Sequence, residues 1–196
     1  MMKKGLILIL LTVAISAVCT KVKAQSPAKI ALSLGPELGV PINAHDADGD
    51  NVRNYYGDGI GGSLKLELPV IDGLDVTVTA GYMDYKSTRY LTYSGPYLEG
   101  SSITNTPNYT YIPLKAGLRY YLNKYLYVES NAGEAIKTSV SASSSFIYGG
   151  SMGGIIPINA HNSVDIGVAV ERGYKNVYYS YPMGQVAFRL AYRYNF

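Results

Sequence analysis

The chain has 196 residues, the size of one domain of about 100–200 residues. It is 47% hydrophobic and 16% charged, with 20 Tyr, 3 Phe, no Trp and 21 Gly, which excludes a disordered tail and favours strands and turns over packed helices. The formal charge of +3 comes from Lys3, Lys4, Lys21 and Lys23; residues 25–196 carry thirteen basic groups against fourteen acidic ones, which excludes a nucleic-acid surface built on net charge.

Residues 1–24 read as a secretory signal peptide. Lys3 and Lys4 form its positive start, and residues 5–18 are an uncharged apolar run, too short to cross a bilayer core of about 30 Å as a helix. Val22-Lys23-Ala24 sets the expected cleavage site, so the mature domain is residues 25–196, beginning at Gln25. Cys19 would suit lipidation, but Val18 stands where a small residue is needed. With Cys19 removed no cysteine remains, so no disulfide stabilises the exported domain.

After the leader the pattern is alternation, the mark of strands with two unlike faces. Ile30, Leu32, Leu34, Leu38 and Val40 form the first apolar row, and Leu64, Leu66, Leu68 and Val70 the second. Leu74, Val76, Val78, Ala80 and Tyr82 form the third; Ile112, Leu114, Ala116, Leu118, Tyr120 and Leu122 form the fourth. The fifth has Leu126, Val128 and Ala132, interrupted by Ser130. A Gly-rich, poorly patterned stretch around 146–158 is needed as the sixth. Val164, Ile166, Val168 and Val170 form the seventh, and Val186, Phe188, Leu190, Tyr192, Tyr194 and Phe196 the eighth.

Connections at 71–73, 123–124 and 159–163 are short, whereas those at 41–59, 85–108, 137–145 and 172–182 are long. Short turns at one end and long loops at the other are the plan of a transmembrane barrel. Eight strands leave about 21 residues for each strand and its connection, room for strands of about 10. The expected fold is all-β, an eight-stranded antiparallel up-and-down transmembrane β-barrel.

A soluble lipocalin-like barrel shows the same period with its faces reversed. Three features favour lipid outside. The other rows are rich in small residues (Ser33, Gly35, Gly39, Thr77, Thr79, Gly167, Ala169, Ala187, Ala191), which suit a narrow lumen. Tyr82, Tyr120, Tyr192, Tyr194 and Phe196 end apolar rows, where an aromatic girdle meets headgroups. The chain also ends on an aromatic residue.

The final Tyr192-Arg193-Tyr194-Asn195-Phe196 resembles the C-terminal signal by which bacterial outer-membrane barrels are recognised for insertion. Ile112-Pro113-Leu114-Lys115-Ala116-Gly117-Leu118-Arg119-Tyr120 resembles a strand of the small outer-membrane barrel family, the OmpA- and OmpX-like, porin-family-like barrels. The resemblance implies an outer-membrane location among outer-membrane lipids, with barrel insertion machinery and periplasmic chaperones as partners. It makes Tyr192, Tyr194 and Phe196 the assembly signal. It implies no single activity, because the scaffold carries adhesins, structural proteins, channels and lipid-modifying enzymes.

The inward rows hold Lys29, Lys65, Lys115, Arg119, Arg189 and Arg193 against Glu37, Glu67, Asp75, Glu129, Asp165 and Glu171, six of each sign. Buried charges must pair, so these residues are expected to form a salt-bridged, largely closed lumen. The alternative is a narrow ion or solute channel, for which an excess of one sign would be the signature. Asp46, Asp48 and Asp50 resemble part of a calcium loop, but Gly57 stands where the bidentate Glu belongs; they are candidates only, and no cofactor or metal is expected. His45 and His161, in a long loop and a short turn, face no Ser–acid pair, so an outer-leaflet lipid-modifying enzyme ranks below both other readings. Tyr90, Tyr93, Tyr97, Tyr109, Tyr174, Tyr178, Tyr179 and Tyr181 fall in the long connections. Tyr supplies rigid contact area with a polar tip, so they either meet an extracellular ligand or extend the aromatic girdle above the membrane. The expected protein is a monomeric, non-enzymatic barrel with a structural or surface-contact role.

Overall fold

The computed structural model describes residues 29–42, 56–87, 90–93, 102–105, 108–138, 144–173 and 184–196. Every regular element among them is a strand: β1 (Ala31–Ile42), β2 (Tyr56–Ile71), β3 (Leu74–Ser87), β4 (Tyr90–Tyr93), β5 (Ser102–Asn105), β6 (Tyr109–Tyr121), β7 (Leu126–Lys137), β8 (Ser145–Pro157), β9 (Asn162–Gly173) and β10 (Gly184–Asn195). Eight of them close a barrel in the order β1-β10-β9-β8-β7-β6-β3-β2, with β4 and β5 forming a separate two-stranded sheet. All pairs are antiparallel, and the barrel closes between β1 and β10, from Ala31 opposite Asn195 to Ile42 opposite Gly184. Closure leaves the barrel no open sheet edge.

The short connections are built by specific residues. Asp72 and Gly73 turn β2 into β3, and Gly73 has a φ of 81°, a region that side chains other than glycine rarely enter. The other two turns share one device. Asn123 Oδ1 accepts from the backbone N–H groups of Tyr125 and Leu126 at 2.8 and 2.9 Å. Asn159 Oδ1 accepts from those of His161 and Asn162 at 3.0 and 2.9 Å. An Asn side chain that mimics a backbone turn is what makes this residue favourable there.

The strands reach further into the long connections than the alternation alone predicts. β2 begins at Tyr56, β3 continues to Ser87, and the segment expected to be one long loop at 85–108 contains the β4–β5 hairpin. The Gly-rich sixth strand is β8. Its pattern is poor because glycines serve both faces. On the inner face, a Cβ at Gly149 would come within 3.0 Å of Glu171, and one at Gly153 would strike the Tyr127 ring. Glycine there makes space for a neighbour, so it carries no hydrophobic signal.

Exposure separates the two faces. Leu34, Phe188 and Leu190 are 63%, 48% and 52% exposed, whereas Arg119 and Glu67 are both 0% exposed. Apolar side chains line the outside and charges fill the inside, inverting the arrangement of a water-soluble barrel. Two aromatic layers bracket those charges. Met83, Tyr85, Tyr111, Ala135 and Ile147 cluster toward the long connections with Tyr56 and Tyr109 against them. Tyr121, Tyr127 and Ile155 cluster toward the short turns.

Candidate functional site: the filled lumen

Strand parity sends every second residue of β2, β3, β6, β7, β9 and β10 inward, and the charged side chains meet on the axis. Arg119 is the hub. Its Nε donates to Glu129 Oε2 at 2.8 Å, and its Nη1 to Glu67 Oε1 at 2.9 Å and Asp165 Oδ2 at 3.3 Å. The guanidinium carbon lies 3.7 Å from the centre of the Tyr127 ring, a cation–π contact between buried side chains. Arg193 grips Glu67 Oε2 through Nε at 3.0 Å and Nη2 at 2.8 Å, and Tyr121 Oη donates to the same oxygen at 2.9 Å. Tyr127 Oη donates to Asp165 Oδ1 at 2.6 Å.

The network continues through Lys65, whose Nζ lies 2.9 Å from both oxygens of Glu129, while Thr77 Oγ1 donates to Glu129 at 3.1 Å. Arg189 ties Asp165 at 3.3 Å to Glu37 at 3.4 Å and to the Ser33 and Ser63 hydroxyls, both at 3.0 Å. A second, smaller group lies toward the long connections. Lys115 pairs with Glu171, whose Oε2 accepts from Gln185 Nε2 at 2.8 Å. Gln185 also donates to Tyr111 Oη at 3.0 Å and accepts from Tyr85 Oη.

Ten of the twelve charged residues expected in the lumen, Glu37, Lys65, Glu67, Lys115, Arg119, Glu129, Asp165, Glu171, Arg189 and Arg193, take part in these ion pairs. Asp75 is also buried, opposite Arg119 in the β3–β6 register. Lys29 departs from the expectation: it precedes β1 and is exposed, because the inward row begins only where β1 starts to pair. Of the twelve expected, five cations and six acids are therefore placed in the lumen. Between the two groups is a cavity of about 30 Å³ lined by Glu37, Lys65, Lys115, Asn131, Glu171 and Arg189. Another of about 20 Å³ lies beside Tyr109, Tyr111 and Ser145. Such volumes suit one or two waters.

The inward tyrosines escape a reading that assigns aromatic residues to the girdle. Tyr111, Tyr121 and Tyr127 share parity with Lys115, Arg119 and Glu129, and that parity was the available signal. Their rings need small neighbours. A Cβ at Gly59 would lie 2.6 Å from the Tyr85 ring, and one at Gly167 would lie 2.9 Å from Tyr127 Oη. Tyr109, expected to be a loop contact, belongs to β6 and packs inward between Tyr56 and Tyr111, at 5.6 Å from each ring.

At the opposite end, the C-terminal segment is tied down. Tyr194 meets Phe196 edge-on at 5.1 Å and stacks on His161 at 6.0 Å. The Phe196 N–H donates to the Ile30 carbonyl at 3.0 Å, and Tyr192 hydrogen-bonds Asn162. His161 Nδ1 lies 3.0 Å from the Asn195 carbonyl oxygen, in a turn and away from the lumen acids. His45, Asp46, Asp48, Asp50, Tyr97, Tyr174, Tyr178, Tyr179 and Tyr181 lie outside the described residues, as does the signal segment. Tyr90 and Tyr93 are in β4. Among the described residues no group of three His, Cys, Asp or Glu side chains is arranged to hold a metal.

No protein-family model and no curated protein matches the chain. Solved structures do. The chain is similar to the outer membrane protein OprG from Pseudomonas aeruginosa, with a TM-score of 0.53, 12% identity, and 90% of this chain and 99% of that one covered. The fold is that of a small outer-membrane β-barrel. Ail, the attachment invasion locus protein of Yersinia pestis, superposes with a TM-score of 0.48 at 14% identity, over 87% of this chain and all of the other. The outer membrane protein AlkL gives 0.47 at 14% identity, over 90% and 94%.

Proposed function

We propose that this chain is an integral outer-membrane protein whose barrel is a closed anchor, presenting its long connections for contact at the cell surface. The observation that carries the reading is the filled lumen, in which ion pairs and two tyrosine layers among the described residues border cavities of about 30 and 20 Å³. A conducting barrel needs a continuous aqueous path and a lining that binds its ions weakly enough to release them. Here the inward cations are engaged by carboxylates at 2.8–3.4 Å. The apolar outer wall supports burial in lipid. Tyr192, Tyr194 and Phe196, held at the closing seam, support recognition by barrel insertion machinery, after export by a cleaved leader and escort by periplasmic chaperones. In this reading the protein acts as a monomer and is not an enzyme. Purified barrel in a planar bilayer should give no steady conductance above the bare membrane. Stable single-channel currents would replace the anchor with a channel.

A further inference from the structure

The outward row of β7 is unlike a plain apolar row. It runs Leu126, Val128, Ser130, Ala132, Glu134, Ile136, small or polar where Leu, Ile or Val would cover the wall. The register carries the thinning sideways, since Ala132 pairs with Ala116 of β6 and Ser130 with Gly150 of β8. The wall is hollow there. A depression of about 670 Å³ is lined by Val78, Leu114, Ala116, Ala132, Glu134 and Phe146. A second, of about 450 Å³, shares Ala116 and Ala132 with it and adds Val76, Leu118 and Ser130. Glu134 lies on the loop side of Ala132 and Ser130 on its turn side, so the two form one groove along β7.

Glu134 closes the loop end of this groove. The register sets it between Leu114 and Phe146, with Ala132 and Ile136 as its neighbours in the row. It is no rim residue. Its ladder continues through Leu114 to Ala80, four residues inside the Thr110–Asp84 pair, or ~13 Å along the strands. A charge facing hydrocarbon is costly unless it is paired, and marks a site when it persists. Among the described residues Glu134 makes no ion pair or hydrogen bond. The outward cations Lys86 of β3 and Arg172 of β9 each lie two strands from β7, about 10 Å across the ladder.

We propose that this groove binds one membrane lipid with an ammonium headgroup, its chain over Ala132, Ala116 and Ser130 and its ammonium on the Glu134 carboxylate. The groove has the polarity of such a lipid in the loop-side leaflet. Its carboxylate stands toward the loops, and its small-residue floor runs toward the middle of the wall. The hollow lets an acyl chain gain close contacts that a flat wall denies it. A charge-assisted hydrogen bond then separates an ammonium head from an anionic one.

Native mass spectrometry of the intact barrel in detergent tests this, with phosphatidylethanolamine and phosphatidylglycerol of identical long chains as probes. The ethanolamine lipid should stay bound under collisional activation at least fivefold more than the glycerol lipid. Glu134→Gln keeps the size and removes the charge, and should bring the two lipids level. Ala132→Leu fills the floor and keeps the acid, and should lower ethanolamine-lipid retention at least threefold. Short-chain phosphatidylethanolamine on the unaltered protein should be lost to the same degree, which tests the groove without any substitution. Equal retention of the two long-chain lipids, a preference that survives Glu134→Gln, or indifference to both floor and chain length would overturn the assignment. Heat-modifiable gel mobility, unchanged in each variant, separates loss of the lipid from loss of the fold. Conductance does not enter this readout, so a conducting barrel would leave the lipid site standing.

Discussion

The two halves of the lumen are closed by different chemistry. Toward the short turns, Arg119 alone reaches three acids, Arg193 doubles its hold on Glu67, and the Tyr121 and Tyr127 hydroxyls add donors to Glu67 and Asp165. Toward the long connections a single ion pair, Lys115 with Glu171, is backed by one amide and two tyrosines. Arginine's planar fork serves several carboxylates at once, whereas the lysine ammonium is a point charge on a flexible stem. The turn end is therefore a locked plug. The loop end is a lighter closure, beside the segments we propose to meet partners.

The largest break should come from the hub. Arg119→Ala removes the one cation shared by Glu67, Glu129 and Asp165, leaving three buried acids with a single ion-pair partner each, Arg193, Lys65 and Arg189, and should destabilise the barrel by about 3–5 kcal/mol. Urea titration of the protein folded into lipid vesicles measures it. A loss below about 1 kcal/mol would mean that water enters this end as freely as it reaches a surface ion pair.

Lys115→Ala sets the loop end beside it. Glu171 keeps its hydrogen bond from Gln185 and borders the cavity, so the expected loss is smaller, about 1–3 kcal/mol. In the same titration, equal costs for the two variants would remove the distinction between the ends. If the loop-end closure is the lighter one, Lys115→Ala should also be the variant that raises bilayer conductance first.

Most of this division lies in plain view in the chain once parity is followed. The apolar rows from Leu32 to Phe196 and the inward charges from Glu37 to Arg193 follow a strict period of two, and a one-residue slip would send every one of them to the wrong face. Lys29 fails because alternation does not mark where pairing begins. The inward tyrosines were hidden because tyrosine serves both as a girdle residue and as a buried donor to carboxylates. Tyr120 and Tyr121 show how adjacent copies take opposite faces. Strand β8 was faint because glycines such as Gly149 and Gly153 answer to Glu171 and Tyr127 across the strand, a three-dimensional fit that no local pattern encodes. The β4–β5 hairpin has strands of only four residues, too short to show a period.

The finest test applies one chemical change at each end. Tyr121→Phe and Tyr85→Phe both delete a buried hydroxyl and keep the ring. At the turn end Tyr121 Oη donates to the carboxylate of Glu67, which also serves Arg119 and Arg193. A hydrogen bond to a charged group contributes about 1.5–3 kcal/mol. At the loop end Tyr85 Oη donates to the neutral amide oxygen of Gln185, a bond of about 0.5–1.5 kcal/mol. Both substitutions keep the ring in place, Tyr121 edge-on to Tyr127 at 6.3 Å and Tyr85 stacked on Tyr111 at 6.2 Å, so the difference reports the charge of the acceptor. Tyr121→Phe should cost more than Tyr85→Phe by about 1 kcal/mol in vesicle-folded protein. Adding Arg193→Lys to each then tells whether the excess belongs to the network. The Tyr121→Phe cost should change, because Arg193 Nη2 shares Glu67 Oε2 with Tyr121 Oη, while the Tyr85→Phe cost should stay additive, since no contact joins that pair to Arg193. Additivity at both positions would reduce the turn-end plug to a set of independent pairs.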